Sequence, residues 1–217
     1  MRNSFLKLFF FCPILLFAQD YKVGDHELIF MPTAYTMPAN NSYFTDYEVI
    51  LLNYTYAITP RTHLGLMTLF PYRDDFYETI SLGVKQNYYR EGIFQSAAYI
   101  TWSVENGLLM IGNVFSIGNP ENSFHISLAY LTETDTKINS LLYMVGYRVD
   151  PSESTSLIFE YSNGQEVKEG LEGKGLLSAV LRVRSNNLSW DIGATKNLEK
   201  DDDWFLYPLL KATYYFD

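Results

Sequence analysis

The sequence predicts an all-β fold, an antiparallel up-and-down transmembrane β-barrel of about twelve strands, with about ten as the alternative. Three observations predict it. Apolar and polar residues alternate with period two in segment after segment. The connections between those segments alternate between short and long. No stretch after the N-terminus carries the roughly eighteen continuous apolar residues of a helical span.

The chain opens MRNSFLKLFFFCPILLFAQD. Arg2 and Lys7 make a basic start, Leu8–Phe17 is an apolar run, and Ala18-Gln19 offers a cleavage point before Asp20. This reads as a secretory signal peptide over residues 1–19. Cys12 lies inside the apolar run, so a lipidated cysteine does not fit. The chain from residue 20 onward has no cysteine, hence no disulfide framework and no thiol nucleophile. It is read as one domain, 20–217.

Strands follow in order. His26–Met31 is a short apolar candidate, and Pro32–Asp46, rich in Pro, Asn, Thr and Ser, reads as a long loop on the outer side. Tyr47–Ala57 and Thr62–Phe70 flank the turn at Thr59-Pro60-Arg61. Pro71–Phe76 is a polar loop.

Thr79–Val104 is the clearest hairpin. Ile80, Leu82, Val84 and Tyr88 share one parity, and the second arm repeats the pattern with Phe94, Ile100, Trp102 and Val104. Arg90-Glu91-Gly92 is read as a three-residue loop with Gly in the left-handed position. Tyr89 then pairs with Ile93, Tyr88 faces Phe94, Val84 faces Ala98 and Ile80 faces Trp102.

Leu108–Ile117, Ser123–Leu131, Leu141–Val149 and Thr155–Ser162 come next, joined at Gly118–Asn122, at Thr132–Asn139 and at Asp150–Glu153. Asn163–Gly175 is a charged, Gly-rich loop. Leu176–Arg184 and Leu188–Thr195 flank Asn186-Asn187, a turn that suits Asn because Asn tolerates positive φ. An acidic loop, Asn197–Asp203, leads to the last strand, Trp204–Phe216. Asn106-Gly107 is the one tight turn on the long-loop side. Short turns on one side and long loops on the other, with an even strand count, put both termini on the periplasmic side of an outer membrane. Aromatic residues near the strand ends, Phe70, Tyr72, Phe76 and Tyr77 at one rim and Tyr88 and Tyr89 at the other, suit interfacial girdles.

Charge excludes one class of partner. Without Arg2 and Lys7, the 16 basic residues become 14 against 25 acidic, a net charge of −11. A nucleic-acid binder wants a basic face, so no nucleic acid is expected.

The signal, the alternation, the loop asymmetry and the last strand together resemble bacterial outer-membrane β-barrel proteins, an uncharacterised porin-like group. LLKATYYFD is similar to their C-terminal assembly signal: Tyr214 and Phe216 fit it, while Asp217 departs from it by following the Phe. The resemblance implies residence among outer-membrane lipid in a Gram-negative cell envelope, and contact with the barrel-assembly machinery through Tyr214 and Phe216. Small solutes or ions are the further partners it implies.

If the apolar parity faces lipid, the other faces a lumen. The lumen candidates are Lys85, Glu105, Arg148, Glu160, Arg182, Arg184, Asp191 and Lys211. A two-residue turn at Asn186-Asn187 pairs Val183 with Trp190 and Arg182 with Asp191, and Glu160 on the preceding strand is placed to join that pair. Such charges read either as a constriction that selects solutes or as an ion network bracing the wall.

No catalytic residue is assigned. His26, His63 and His125 are widely separated in sequence, none has metal-ligand spacing, and no serine has nucleophile-like flanks. No metal or cofactor is called for. The function expected is a small porin-like channel or solute-binding barrel with a charged, partly plugged lumen. The alternative is a closed barrel whose outer loops bind a partner. An outer-membrane lipid hydrolase and a soluble secreted barrel rank below these.

Overall fold

A computed structural model describes residues 21–70, 76–104, 107–133, 139–163, 175–198 and 206–217. The signal-peptide reading lies outside these residues, as do Tyr72, Glu105, most of Asn163–Gly175 and most of the acidic loop. Twelve antiparallel strands close into a barrel in simple up-and-down order. They are β1 Ser42–Tyr47, β2 Leu51–Thr59, β3 Thr62–Leu69, β4 Ser81–Glu91, β5 Phe94–Ser103 and β6 Leu108–Asn119. Then come β7 Asn122–Glu133, β8 Asn139–Ser152, β9 Thr155–Ser162, β10 Leu176–Ser185, β11 Leu188–Asn197 and β12 Tyr207–Phe216. A single 3-10 turn, Phe76–Thr79, is the helical content among the described residues.

The strand count agrees with expectation, but the first strand is a different segment. β1 is Ser42–Tyr47, from the stretch expected to be an outer loop, and it closes the barrel by pairing with both β2 and β12. His26–Met31 is not in the wall at all. It lies inside the barrel, buried except for Phe30, and its apolar side chains have the same sequence signature there as in a strand. β1 escaped notice because its inner face carries Tyr43, Thr45 and Tyr47 and its outer face Phe44 and Asp46, so polarity does not alternate.

The hairpin at β4–β5 is also in a different register. Glu91 pairs with Phe94 around a two-residue turn in which Gly92 takes φ 55°, and a bulge lies between Asn87 and Tyr89. Val84 therefore faces Ile100 and Leu82 faces Trp102. These pairs lie two residues from the expected ones, and a slip of two leaves every side chain on its face.

The connections sort by side. The five joining β2–β3, β4–β5, β6–β7, β8–β9 and β10–β11 have two residues each. At the other end β3–β4, β9–β10 and β11–β12 are joined by eleven, thirteen and nine. Both described ends of the chain lie at the two-residue-turn end: the Tyr21 ring is 5.1 Å from that of Tyr215, and the Tyr215 N–H donates to the Asn187 carbonyl at 2.7 Å.

The barrel is inside out relative to a water-soluble domain. Leu82, Val84, Ile100, Trp102, Ile111, Phe115, Leu128, Phe159, Leu181, Trp190 and Ile192 are exposed on the outer surface, while Arg148, Arg182, Lys211, Asp191 and Glu160 are buried inside. Among the described residues, outward positions carry charge only within two residues of a strand end, as at Asp46 in β1.

Candidate functional site

The lumen is occupied by the chain's own N-terminal segment. Residues 21–41 enter at the two-residue-turn end, reverse at Leu28–Met31, and leave by the same end into β1. A bridge between Glu27 and Pro32, with Thr33 N–H donating to the His26 carbonyl at 3.0 Å, makes the reversal tight. Leu28, Ile29, Met31, Ala34 and Met37 are fully buried. The tip packs on inward Ala97, Tyr99, Val114, Leu142, Ile158, Val180 and Leu209. Gly146 on β8 makes room for it, since a Cβ there would lie 2.1 Å from Leu28 Cδ1.

The charged wall residues hold this segment chiefly by its backbone. Three successive amides, Ile29, Phe30 and Met31, donate to the Glu160 carboxylate at 3.0–3.1 Å. Successive N–H groups converging on one anion form a nest. Arg182 donates to the carbonyls of Gly24, Glu27 and Leu28, the last at 2.7 Å. Lys211 donates to those of Leu28 and Ile29, both at 2.9 Å. Lys85 donates to those of His26, Thr33 and Tyr35 at 3.0, 3.2 and 3.0 Å. Arg184 reaches Val23 O at 3.1 Å.

Three ion pairs add side-chain contacts, Asp25 with Arg148 at 2.5 Å, Glu27 with Lys211 at 2.9 Å and, at the mouth, Lys22 with Glu121 at 3.0 Å. Tyr47 on β1 donates to Glu27 at 2.9 Å.

The same wall residues are paired among themselves. Arg182 and Asp191 are directly opposite across β10–β11 and bonded through two nitrogens at 2.6 and 2.7 Å, the contact expected from the Asn186-Asn187 turn. Val183 faces Trp190 as expected. Lys211, opposite Asp191 on β12, approaches its other side at 3.5 Å. Arg148 binds Asp150 at 2.9 and 2.8 Å, and Arg184 shares that carboxylate at 3.3 Å. Glu160 does not join Arg182; its lone pairs go to the tip amides. Of the eight lumen candidates, Lys85, Arg148, Glu160, Arg182, Arg184, Asp191 and Lys211 reach the interior, and Glu105 lies outside the described residues.

Besides Lys85, and Arg90 on the Thr36 hydroxyl, the return arm is held by neutral groups. Ala34 N–H donates to Ser116 Oγ at 2.9 Å, and Asn87 donates to Ala34 O at 2.7 Å. Met37 N–H donates to His63 Nε2 at 3.1 Å. His125 is fully buried between Ser116 (2.7 Å) and Ser123 (2.9 Å). This serine–histidine contact points inward beneath the plug, away from the lipid-side surface that a lipid hydrolase would use. No group of three metal-ligating side chains occurs among the described residues.

Burial shapes titration within the plug. His26 stacks on Tyr43 with ring centroids 3.4 Å apart. Loss of solvent lowers its pKa from 6.5 to about 4, so it is neutral at physiological pH. Burial works to raise the Glu27 carboxyl, but the Lys211 ammonium beside it outweighs that, and the group ends well below the usual carboxylate range.

A cavity of about 700 Å³ lies at the mouth where the plug enters, lined by Tyr21, Lys22, Arg184, Asn187 and Tyr215 among others.

Neither a family model nor a curated protein matches the chain. Solved structures similar to it include Salmonella typhi OmpF in a complex with daunomycin, with a TM-score of 0.44 and 12% identity over 76% of this chain and 61% of that one. A triple mutant of the Rhodopseudomonas blastica porin follows at 0.41 and 12%, over 76% and 55%. OccAB2 of Acinetobacter baumannii matches at 0.36 and 13%, over 76% and 54%. The chain thus spans less than two thirds of the length of these porins. At these scores the likeness carries no argument about what this chain does.

Proposed function

We propose that the chain is an outer-membrane β-barrel that holds its own lumen shut with residues 21–41, so that solute passage depends on withdrawing that segment. An outer surface uncharged except near strand ends supports the membrane location. An Arg or Lys left on a lipid face costs about 2–4 kcal/mol at midplane, and the strand cations all turn inward except at strand ends. In that setting the two-residue turns and both described ends are periplasmic.

One observation carries conditional passage: the plug is a re-entrant loop gripped mainly through its backbone, while the wall keeps ion pairs of its own. Arg182–Asp191 and Arg148–Asp150 survive if the plug leaves. Both plug arms use one mouth, so withdrawal needs no threading.

The test is planar-bilayer conductance of the full chain beside Gly146→Leu. The bulkier wall residue takes the space of the Leu28 side chain. The parent is expected to be silent or to open rarely, and the variant to conduct in steps. The competing reading, a closed barrel that acts through its outer loops, expects silence from both. Steady conductance of the parent sinks the plug.

A further inference from the structure

We infer that the lumen, once vacated, passes anions in preference to cations. The inference rests on the conditional-channel reading above and names the class of solute.

It follows from how charge is divided between wall and plug. Described cations facing the interior are Lys85, Arg90, Arg148, Arg182, Arg184 and Lys211. The described wall carboxylates buried in the interior are three, Asp150, Asp191 and Glu160, with Glu121 exposed at the mouth. Two of these are each shared by two cations. Asp150 serves Arg148 and Arg184, and Asp191 serves Arg182 and Lys211.

Further negative charge comes from the plug, with Asp25 on Arg148 and Glu27 on Lys211. Lys85 directs its bonds to three plug carbonyls, and Arg90 bonds plug Thr36. Withdrawal therefore removes two buried carboxylates and several carbonyl dipoles, against one ammonium (Lys22, paired with Glu121 at the mouth), from a wall whose interior already has more cations than anions. What remains is a ring of guanidinium and ammonium groups with donors directed at vacated space. Arg in particular presents a planar fork suited to carboxylate and phosphate oxygens. The vacated lumen then suits small inorganic anions and small carboxylate or phosphate solutes.

The sign is opposite to that of the whole chain, which is −9. Seven of the 25 acidic residues fall in sequence stretches 164–174 and 199–205, outside the strands. Exposed charges are screened over about 8 Å at physiological salt, and charges inside a low-dielectric wall far less. The interior sign governs selection.

The experiment is the reversal potential of full-chain Gly146→Leu in a planar bilayer under a potassium chloride gradient. A reversal potential on the chloride side, with a several-fold permeability preference, is expected, and Lys85→Glu in the same background should lower that preference. A reversal potential at zero or on the potassium side overturns the inference and leaves the conditional channel standing. Full-chain Asp25→Asn/Glu27→Gln is a second, independent way to loosen the plug and should show the same preference. Silence of both variants, each shown to be folded by its heat-modifiable gel migration, overturns the channel reading and the selectivity together.

Discussion

The two arms of the plug are held in different ways. The entering arm, residues 22–31, lies against β8–β12 and is fixed by charge: Arg148 on Asp25, Arg182 and Lys211 on carbonyls, Glu160 on the tip amides. The returning arm, residues 33–37, lies against β3, β4 and β6. Apart from Lys85 and Arg90, neutral groups hold it there: Asn87, Ser116 and His63. Hydrogen bonds to charged groups contribute about 1.5–3 kcal/mol each and neutral ones about 0.5–1.5. The difference teaches that the entering arm and its tip are the latch. The returning arm follows, and it is also the tether to β1.

The strongest way to break this comparison is Arg182→Ala. It takes from Asp191 its close bidentate partner, leaving Lys211 at 3.5 Å, and removes the Arg182 donor from the Gly24 and Glu27 carbonyls, while Leu28 O keeps Lys211. Losing one partner of a buried pair costs about 3–5 kcal/mol. The temperature at which the folded, fast-migrating gel band disappears should fall sharply.

Acidification tests the same arm without mutation. His26 has a folded-state pKa of about 4 against 6.5 unfolded. The folded state therefore binds fewer protons across that interval. The stability contributed by keeping His26 neutral is complete above pH 6.5 and is lost as pH falls toward 4. The whole shift corresponds to roughly 3 kcal/mol. Plug loosening, read as opening frequency in a bilayer, should rise over that window, and His26→Phe should flatten the response.

The smallest effect is expected on the neutral arm. Asn87→Ala leaves the Ala34 carbonyl without its donor and should cost about 1 kcal/mol. If its thermal shift equals that of Arg182→Ala, the arms are equivalent and the latch assignment is wrong.

Much of the wall was legible in the sequence. Period-two alternation found β2 through β12, and one tight Asn-Asn turn was enough to place Arg182 opposite Asp191. Three features were not. The two-residue turn shifts the β4–β5 pairs by three and the bulge after Asn87 takes one back, leaving a net shift of two that nothing in TISLGVKQNYY marks, because both registers match apolar with apolar. β1 went unseen because Tyr43 and Tyr47 face inward, Tyr47 to bond Glu27. The plug was hidden for a more general reason. Lys85, Arg182, Lys211 and Glu160 were recognisable as interior residues, but most of what they grip is carbonyl oxygen and amide hydrogen. Every residue carries a carbonyl and nearly every one an amide, so such a partner leaves no mark in side-chain pattern.

The sequence distance between the plug and its holders has a consequence in time. Leu28 is bonded by a lysine 183 residues later, and the tip amides by a glutamate about 130 residues later. The first described segment to be synthesised thus has partners that exist only when the last strand is in place. Contacts this distant form late. The plug's grip on Lys211 is accordingly complete only once the final strand is in place, so the seal is among the last features of the molecule to be finished.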